Sequence, residues 1–134
     1  EPGKRPLSSM TPTIVFDKDG KPMLATGSPG GSTIITVVLQ TILNVLSFDM
    51  GIAEASSVSR IHHQWLPDQV FFESGISKDT LQLLTSMGHQ IGKKPRILGS
   101  TQSIQRGQNK STLGASDPRR QGSGAVAQNR PNQQ

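Results

Sequence analysis

Two glycines close a five-residue run, Gly27-Ser28-Pro29-Gly30-Gly31, between a β-rich stretch (Met23 to Thr26) and an apolar helical run (Ile34 to Phe48). Lacking a Cβ, a Gly pair lets bare backbone N–H groups face a ligand. Where a helix begins, those N–H groups have no partner inside the helix, and the helix dipole adds positive potential. Such a junction suits an anion, or an oxyanion developing in acyl transfer. It also suits a plain connection, so the turn alone leaves both readings open. A second candidate is the hydroxyl pair Ser8 and Ser9, just before the first predicted strand. Two such hydroxyls can hold a carboxylate or cap local backbone.

The remaining polar residues suggest structure rather than chemistry. Neighbours on an extended segment point to opposite sides, so His62 and His63 are poor joint ligands. No acid stands at metal-ligand spacing from these two or from His89, and a metal-dependent hydrolase ranks last. One imidazole is expected to pack or hydrogen-bond near Trp65. Asp17 and Asp19 flank a turn and read as turn-formers. Asp117, before Pro118, is expected to accept backbone N–H bonds, not to catalyse. No Ser-His-Asp arrangement is evident from spacing.

These groups must be positioned by a modest core. The chain has 134 residues, 32% hydrophobic, with four Phe, one Trp and no Tyr. The apolar residues cluster between Ile14 and Leu98, so a small domain is expected, one whose burial a partner surface could complete. There is no cysteine, which excludes disulfides, iron–sulfur clusters, thiolate zinc sites and a Cys nucleophile. No signal-peptide pattern opens the chain, and residues 34–48 are too short and too polar to span a bilayer. The net charge of +5 is uneven: eight Lys/Arg and one acid lie from Lys93 onward, against six basic and eight acidic residues before it. No aromatic residue lies beyond Phe72, so a base-stacking platform is missing and nucleic acid is not an expected partner.

Residues 12–17 read as a strand, Lys18-Asp19-Gly20-Lys21 as a hairpin turn, and Pro22 to Thr26 as the returning strand. Their continuous apolar runs predict a sheet buried on both faces. Ser32 or Thr33 is the expected N-cap of a helix whose broad apolar stripe predicts a sandwiched position, with Gly51 ending it. A short helix over Ile52 to Ser57 follows, then an irregular segment and a strand at Val70 to Glu73. Ser77 caps a helix from Lys78 to Met87, with Leu81, Leu84 and Met87 on one face. Two strands, Thr101 to Gln105 and Leu113 to Ser116, are joined by a turn at Asn109 to Ser111. The composition then becomes Gln, Gly, Asn, Arg, Pro and Ser, which predicts a disordered polar tail over 119–134 after a domain over 1–118.

Five separated blocks together resemble one family. They are Pro2-Gly3-Lys4-Arg5-Pro6-Leu7-Ser8-Ser9-Met10, Gly27-Ser28-Pro29-Gly30-Gly31-Ser32, and His62-His63-Gln64-Trp65-Leu66-Pro67. Gly99-Ser100-Thr101-Gln102-Ser103-Ile104 and Gly114-Ala115-Ser116-Asp117-Pro118-Arg119 complete the set. This pattern is similar to the C-terminal part of the small subunit of the γ-glutamyltranspeptidases (glutathione hydrolases), over roughly residues 2–120. The resemblance implies an α+β fold: part of the αββα sandwich of the N-terminal-nucleophile hydrolases, mostly antiparallel sheet with helices packed on it.

The resemblance also implies chemistry. A proenzyme cuts itself before a threonine, whose hydroxyl then attacks a γ-glutamyl amide with its own amine as base. The acyl group passes to water or to an amino-acid or peptide acceptor. By carry-over, Ser8 and Ser9 bind the glutamyl α-carboxylate, and Gly30 and Gly31 give oxyanion-hole N–H groups. No metal or cofactor is implied. Glutathione or other γ-glutamyl compounds, acceptors, and the large subunit with the N-terminal part of the small subunit are the implied partners. A periplasmic or secreted place is implied if the parent is bacterial. The chain departs from the pattern by beginning at Glu1, since the family's nucleophile lies upstream of the Pro-Gly-Lys-Arg-Pro motif. A fragment inactive by itself is therefore expected. The alternative is a catalytically inactive basic binding or scaffold module with the same fold.

Overall fold

A computed structural model describes residues 1–107 and 111–126. Asp17 makes the first hairpin: its Oδ1 accepts from the N–H of Asp19 at 2.9 Å and of Lys21 at 2.8 Å. This turn joins β1 (Thr13–Phe16) to β2 (Pro22–Gly27). α1 (Ile34–Leu46) and α2 (Ile52–Ser57) follow, then the short antiparallel pair β3 (Ile61–His62) and β4 (Phe71–Phe72). Next come α3 (Lys78–Ser86), β5 (Gln102–Arg106) and β6 (Thr112–Ser116). The main sheet has the order β1-β2-β5-β6, every neighbouring pair antiparallel. The architecture is α+β, as expected.

Leu24 of β2, Val45 of α1, Ile52 and Ala55 of α2 and Ala115 of β6 form the core. Alternation along each strand sends one set of side chains toward these helices. Thr26 and Ser103, cross-strand partners on that face, satisfy each other through a 2.8 Å hydroxyl contact. The opposite face is open, with Ile14, Phe16 and Ile104 more than half exposed. The expected burial on both faces is thus corrected: among the described residues, helices cover one face only. α1 is likewise covered on one side, through Ile34, Val37, Val38, Thr41 and Val45, while Ile35, Leu39 and Leu46 stay exposed.

Helix boundaries also shift. A 3-10 turn over Gly31–Thr33 precedes α1, and neither Ser32 nor Thr33 caps it by its side chain. The Thr33 hydroxyl donates instead to Gly30 O at 2.9 Å. α1 ends at Leu46, and Gly51 becomes the N-cap of α2 rather than the stop of α1. Ser77 caps α3 as expected, accepting from Thr80 N–H at 3.1 Å. The predicted face of α3 is only shallowly packed: Leu81 and Leu84 are half-buried and Met87 is exposed. The predicted turn at Asn109 to Ser111 falls mostly on residues 108–110, outside the described ones, as do residues 127–134 of the predicted tail. Among the described residues, no helix is long and apolar enough to cross a membrane.

Candidate functional site

The sheet's antiparallel order brings distant motifs to one end. Thr13 opposes Thr26, so the segment carrying Ser8 and Ser9 arrives where β2 exits into the glycine turn. Gly27 opposes Gln102, and Gln102 opposes Ser116. The Gly99-Ser100-Thr101 lead-in and the Asp117-Pro118-Arg119 exit therefore meet at this same end. Ser9 stands four residues before Thr13, within a reach of roughly 14 Å. Both serines lie on irregular backbone. Ser8 Oγ accepts from Met10 N–H at 3.3 Å, and Ser9 O accepts from the Thr11 hydroxyl at 3.4 Å.

Gly30 and Gly31 have φ of 141° and 57°, conformations that L side chains rarely adopt. A Cβ on Gly30 would sit 2.5 Å from Thr33 Oγ1 and 3.6 Å from Gly99 Cα. Gly99, at φ 66°, is equally constrained: its Cβ would meet Ser28 Oγ at 2.5 Å and both Val37 methyls at 3.1 Å. Ser28 Oγ donates to Pro29 O at 2.8 Å and accepts from Ser100 N–H at 2.9 Å. The turn is thus clamped against the lead-in of β5. Among the described residues, neither Gly30 nor Gly31 N–H donates a hydrogen bond within the chain. Two such amides at the start of a helical segment are of the kind that suits an anion.

Beside the turn lies a cleft of about 460 Å³, lined by Gly30, Thr33, His62, Gln64, Phe71 and Arg96 among others. Gly30 lines it; Gly31 is exposed next to it. His62 is buried and stacks on Phe71, ring centroids 6.1 Å apart. Its Nδ1 pairs with the Thr36 hydroxyl at 2.7 Å and its Nε2 with Gln64 Oε1 at 2.9 Å. Gln64 Nε2 donates to Leu66 O at 2.8 Å, which turns Oε1 toward the imidazole. His63 faces outward and pairs with Asp68, so the two histidines diverge as expected. His62 packs on Phe71, while the expected imidazole contact near Trp65 is made by His63, whose Nδ1 accepts from the Trp65 N–H at 3.2 Å. Among the described residues no cluster of His, Cys, Asp or Glu could hold a metal.

Behind the cleft sits an ion network that the sequence reading saw only at Asp117. Arg60 is 1% exposed. It donates to Leu98 O at 2.9 Å, Ser56 O at 2.8 Å and Asp117 Oδ2 at 2.7 Å. Asp117 Oδ2 also accepts from Thr101 N–H at 2.8 Å, and Oδ1 from Arg119 N–H at 2.9 Å. Glu73 accepts from Leu98 N–H, Arg60 N–H and the Arg119 guanidinium. Burial opposes the charge on Glu73, yet Arg119 and the two backbone donors outweigh it and hold its carboxyl below the ordinary value. Burial likewise opposes the charge on Asp117. The N–H groups of Arg119 and Thr101, with Arg60, prevail and lower its pKa too. Arg119, first residue of the predicted tail, is therefore fixed in the fold. A lone Arg at position 60 gave no signal, because its acid partners lie 13 and 57 residues away.

The family model for gamma-glutamyltranspeptidase matches residues 1–127. The chain belongs to the γ-glutamyltranspeptidase family. It is 55% identical over 118 residues to the glutathione hydrolase proenzyme of Escherichia coli, covering 88% of this chain and 20% of that protein. The corresponding proenzyme of Bacillus subtilis subsp. natto is 50% identical over 104 residues, covering 78% and 17%. This chain thus spans about a fifth of the length of these relatives. Among solved structures, a Helicobacter pylori γ-glutamyltranspeptidase mutant matches with TM-score 0.82 and 48% identity, covering 90% of this chain and 66% of that one. The Pseudomonas nitroreducens γ-glutamyltranspeptidase complexed with L-DON matches with TM-score 0.83 and 37% identity, covering 96% and 67%. The α+β arrangement is thus that of γ-glutamyltranspeptidases, placed among the N-terminal-nucleophile hydrolases.

Proposed function

We propose that these residues form the glutamyl-binding and oxyanion-stabilising half of a γ-glutamyltranspeptidase active site. The parent enzyme cleaves γ-glutamyl amides such as glutathione. The hydroxyl of an N-terminal threonine, supplied by a part of the parent outside these 134 residues, attacks the γ-carbonyl. The carbonyl oxygen becomes an oxyanion, the amide C–N bond breaks, and the leaving amine takes a proton. Water or an acceptor amine then attacks the glutamyl ester and releases the threonine. Ser8 and Ser9 hold the α-carboxylate, and the N–H groups of Gly30 and Gly31 hold the oxyanion.

One observation carries this reading. The two unpartnered glycine amides lie at the sheet end where the Ser8–Ser9 segment also arrives. A basic scaffold without catalysis would have no use for amides held open by a strained turn. The same reading gives the large subunit and the rest of the small subunit as partners, amino acids or peptides as acceptors, and a periplasmic or secreted place for a bacterial parent.

The test is turnover of a chromogenic γ-glutamyl anilide by the complete enzyme, compared with the purified chain of confirmed mass. The complete enzyme is expected to be active and the isolated chain inactive. Turnover by the isolated chain would refute the assignment of the nucleophile. An inactive complete enzyme would refute the function.

A further inference from the structure

Among the described residues, Arg96 is the one formally charged side chain lining the cleft beside Gly30. The other described arginines near this end, Arg60 and Arg119, are consumed by Asp117 and Glu73. Arg96 makes no ion pair among the described residues. Its backbone is fixed: the N–H donates to Phe72 O at 2.8 Å. Its guanidinium lies 4.0 Å over the Phe71 ring, which orients the plane of the fork. Stacking leaves the N–H edges of a guanidinium available, and those edges match a carboxylate. The rest of the wall is neutral or apolar, including Gly99, Leu98, Ile97 and Pro67. Arg96 is itself exposed, so those edges are open to a ligand arriving from solvent.

We propose that Arg96 is a specificity-determining residue that binds a carboxylate on the amine side of the scissile amide. This rests on the function proposed above. With the oxyanion at Gly30, the glutamyl carboxylate belongs to Ser8 and Ser9, so the cleft that runs from Gly30 to Arg96 receives the other half of the substrate. The favoured class is γ-glutamyl peptides and amino acids, whose amine portion carries its own carboxylate. Simple γ-glutamyl amines do not use Arg96.

The test compares two anilides in the complete enzyme: the plain γ-glutamyl nitroanilide and its analogue with a carboxyl group on the anilide ring. Arg96→Gln is expected to lower kcat/KM about fivefold for the carboxylated anilide and for glutathione, the upper end for a bidentate charged pair at an exposed site, and under about twofold for the plain anilide. Arg96→Lys should restore part of the loss. Equal losses on both anilides would overturn the proposal, since they would mean that Arg96 only supports the Phe71 wall. No change on either substrate would also overturn it. A wild-type enzyme that turns over neither anilide removes the parent function, and the subsite with it.

Discussion

Ser28 Oγ accepts a hydrogen bond from the backbone N–H of Ser100 at 2.9 Å, across 72 residues of sequence. This contact ties the glycine turn to the lead-in of β5. Ser28→Ala strands the part-buried Ser100 N–H, which typically costs about 1–3 kcal/mol. The complete enzyme is expected to lose thermal stability and to show a lower kcat, because the turn drifts from Gly99. Unfolding midpoints and steady-state kinetics on the purified variant check both.

Gly31 separates the role of an N–H from the role of a conformation. A Cβ there meets nothing within 4 Å, but φ is 57°. Gly31→Ala keeps the N–H and carries only the backbone strain, of order 1–3 kcal/mol. Gly31→Pro removes the donor as well and cannot adopt this φ. Losing one oxyanion donor lowers kcat by about two to three orders of magnitude. Gly31→Pro is therefore expected to fall far below Gly31→Ala in kcat. Equal activities would remove Gly31 from the oxyanion role.

Ser8→Ala combined with Ser9→Ala is expected to raise KM for γ-glutamyl substrates, with a smaller effect on kcat. Two lost hydrogen bonds to a carboxylate amount to about 3–6 kcal/mol at most. The variants touch no core residue, so the melting temperature should hold. An unchanged KM would count against carboxylate binding.

The Glu73–Arg60–Asp117–Arg119 network predicts acid sensitivity. Both carboxyls titrate below their ordinary values of 4.5 and 3.8 in the folded state. Groups with lowered folded pKa stabilise fully above their unfolded values and lose that stabilisation as pH falls through the folded ones. Unfolding free energy should therefore hold above about pH 5, decline below pH 4.5, and level off once pH has passed below the lowered folded values. Asp117→Asn and Glu73→Gln should flatten that decline. Arg60→Met leaves Asp117 buried beside one guanidinium fewer, at a cost of about 3–5 kcal/mol. Chemical unfolding of the complete enzyme across pH gives both readouts.

Local features were legible because they depend on neighbours in sequence. The Asp17 turn, the Ser77 cap and the divergence of His62 and His63 follow from spacing alone. Thr33 is the N-cap of α1, as its position in the sequence indicates, but its hydroxyl donates to Gly30 O instead of accepting from the helix, a choice that only the folded turn decides. The two-faced burial of β1 and β2 was misread because a continuous apolar run records what a strand can bury, not what covers it. Arg60 was missed for a different reason: a buried cation is recognisable only beside its acids.

Sequence alone determined the chemical vocabulary of this protein: a glycine pair able to free two amides, a serine pair, and ordered motif blocks that carry the family likeness. It did so because those properties belong to single residues and their immediate neighbours. Only the tertiary structure decided that the starts of β1 and β5 and the exits of β2 and β6 share one end of the sheet. It also decided that Arg60 and Arg119 pair with acids while Arg96, with no ion pair among the described residues, lines the cleft. Strand pairing and charge neutralisation join residues distant along the chain, and no local pattern encodes which partner wins.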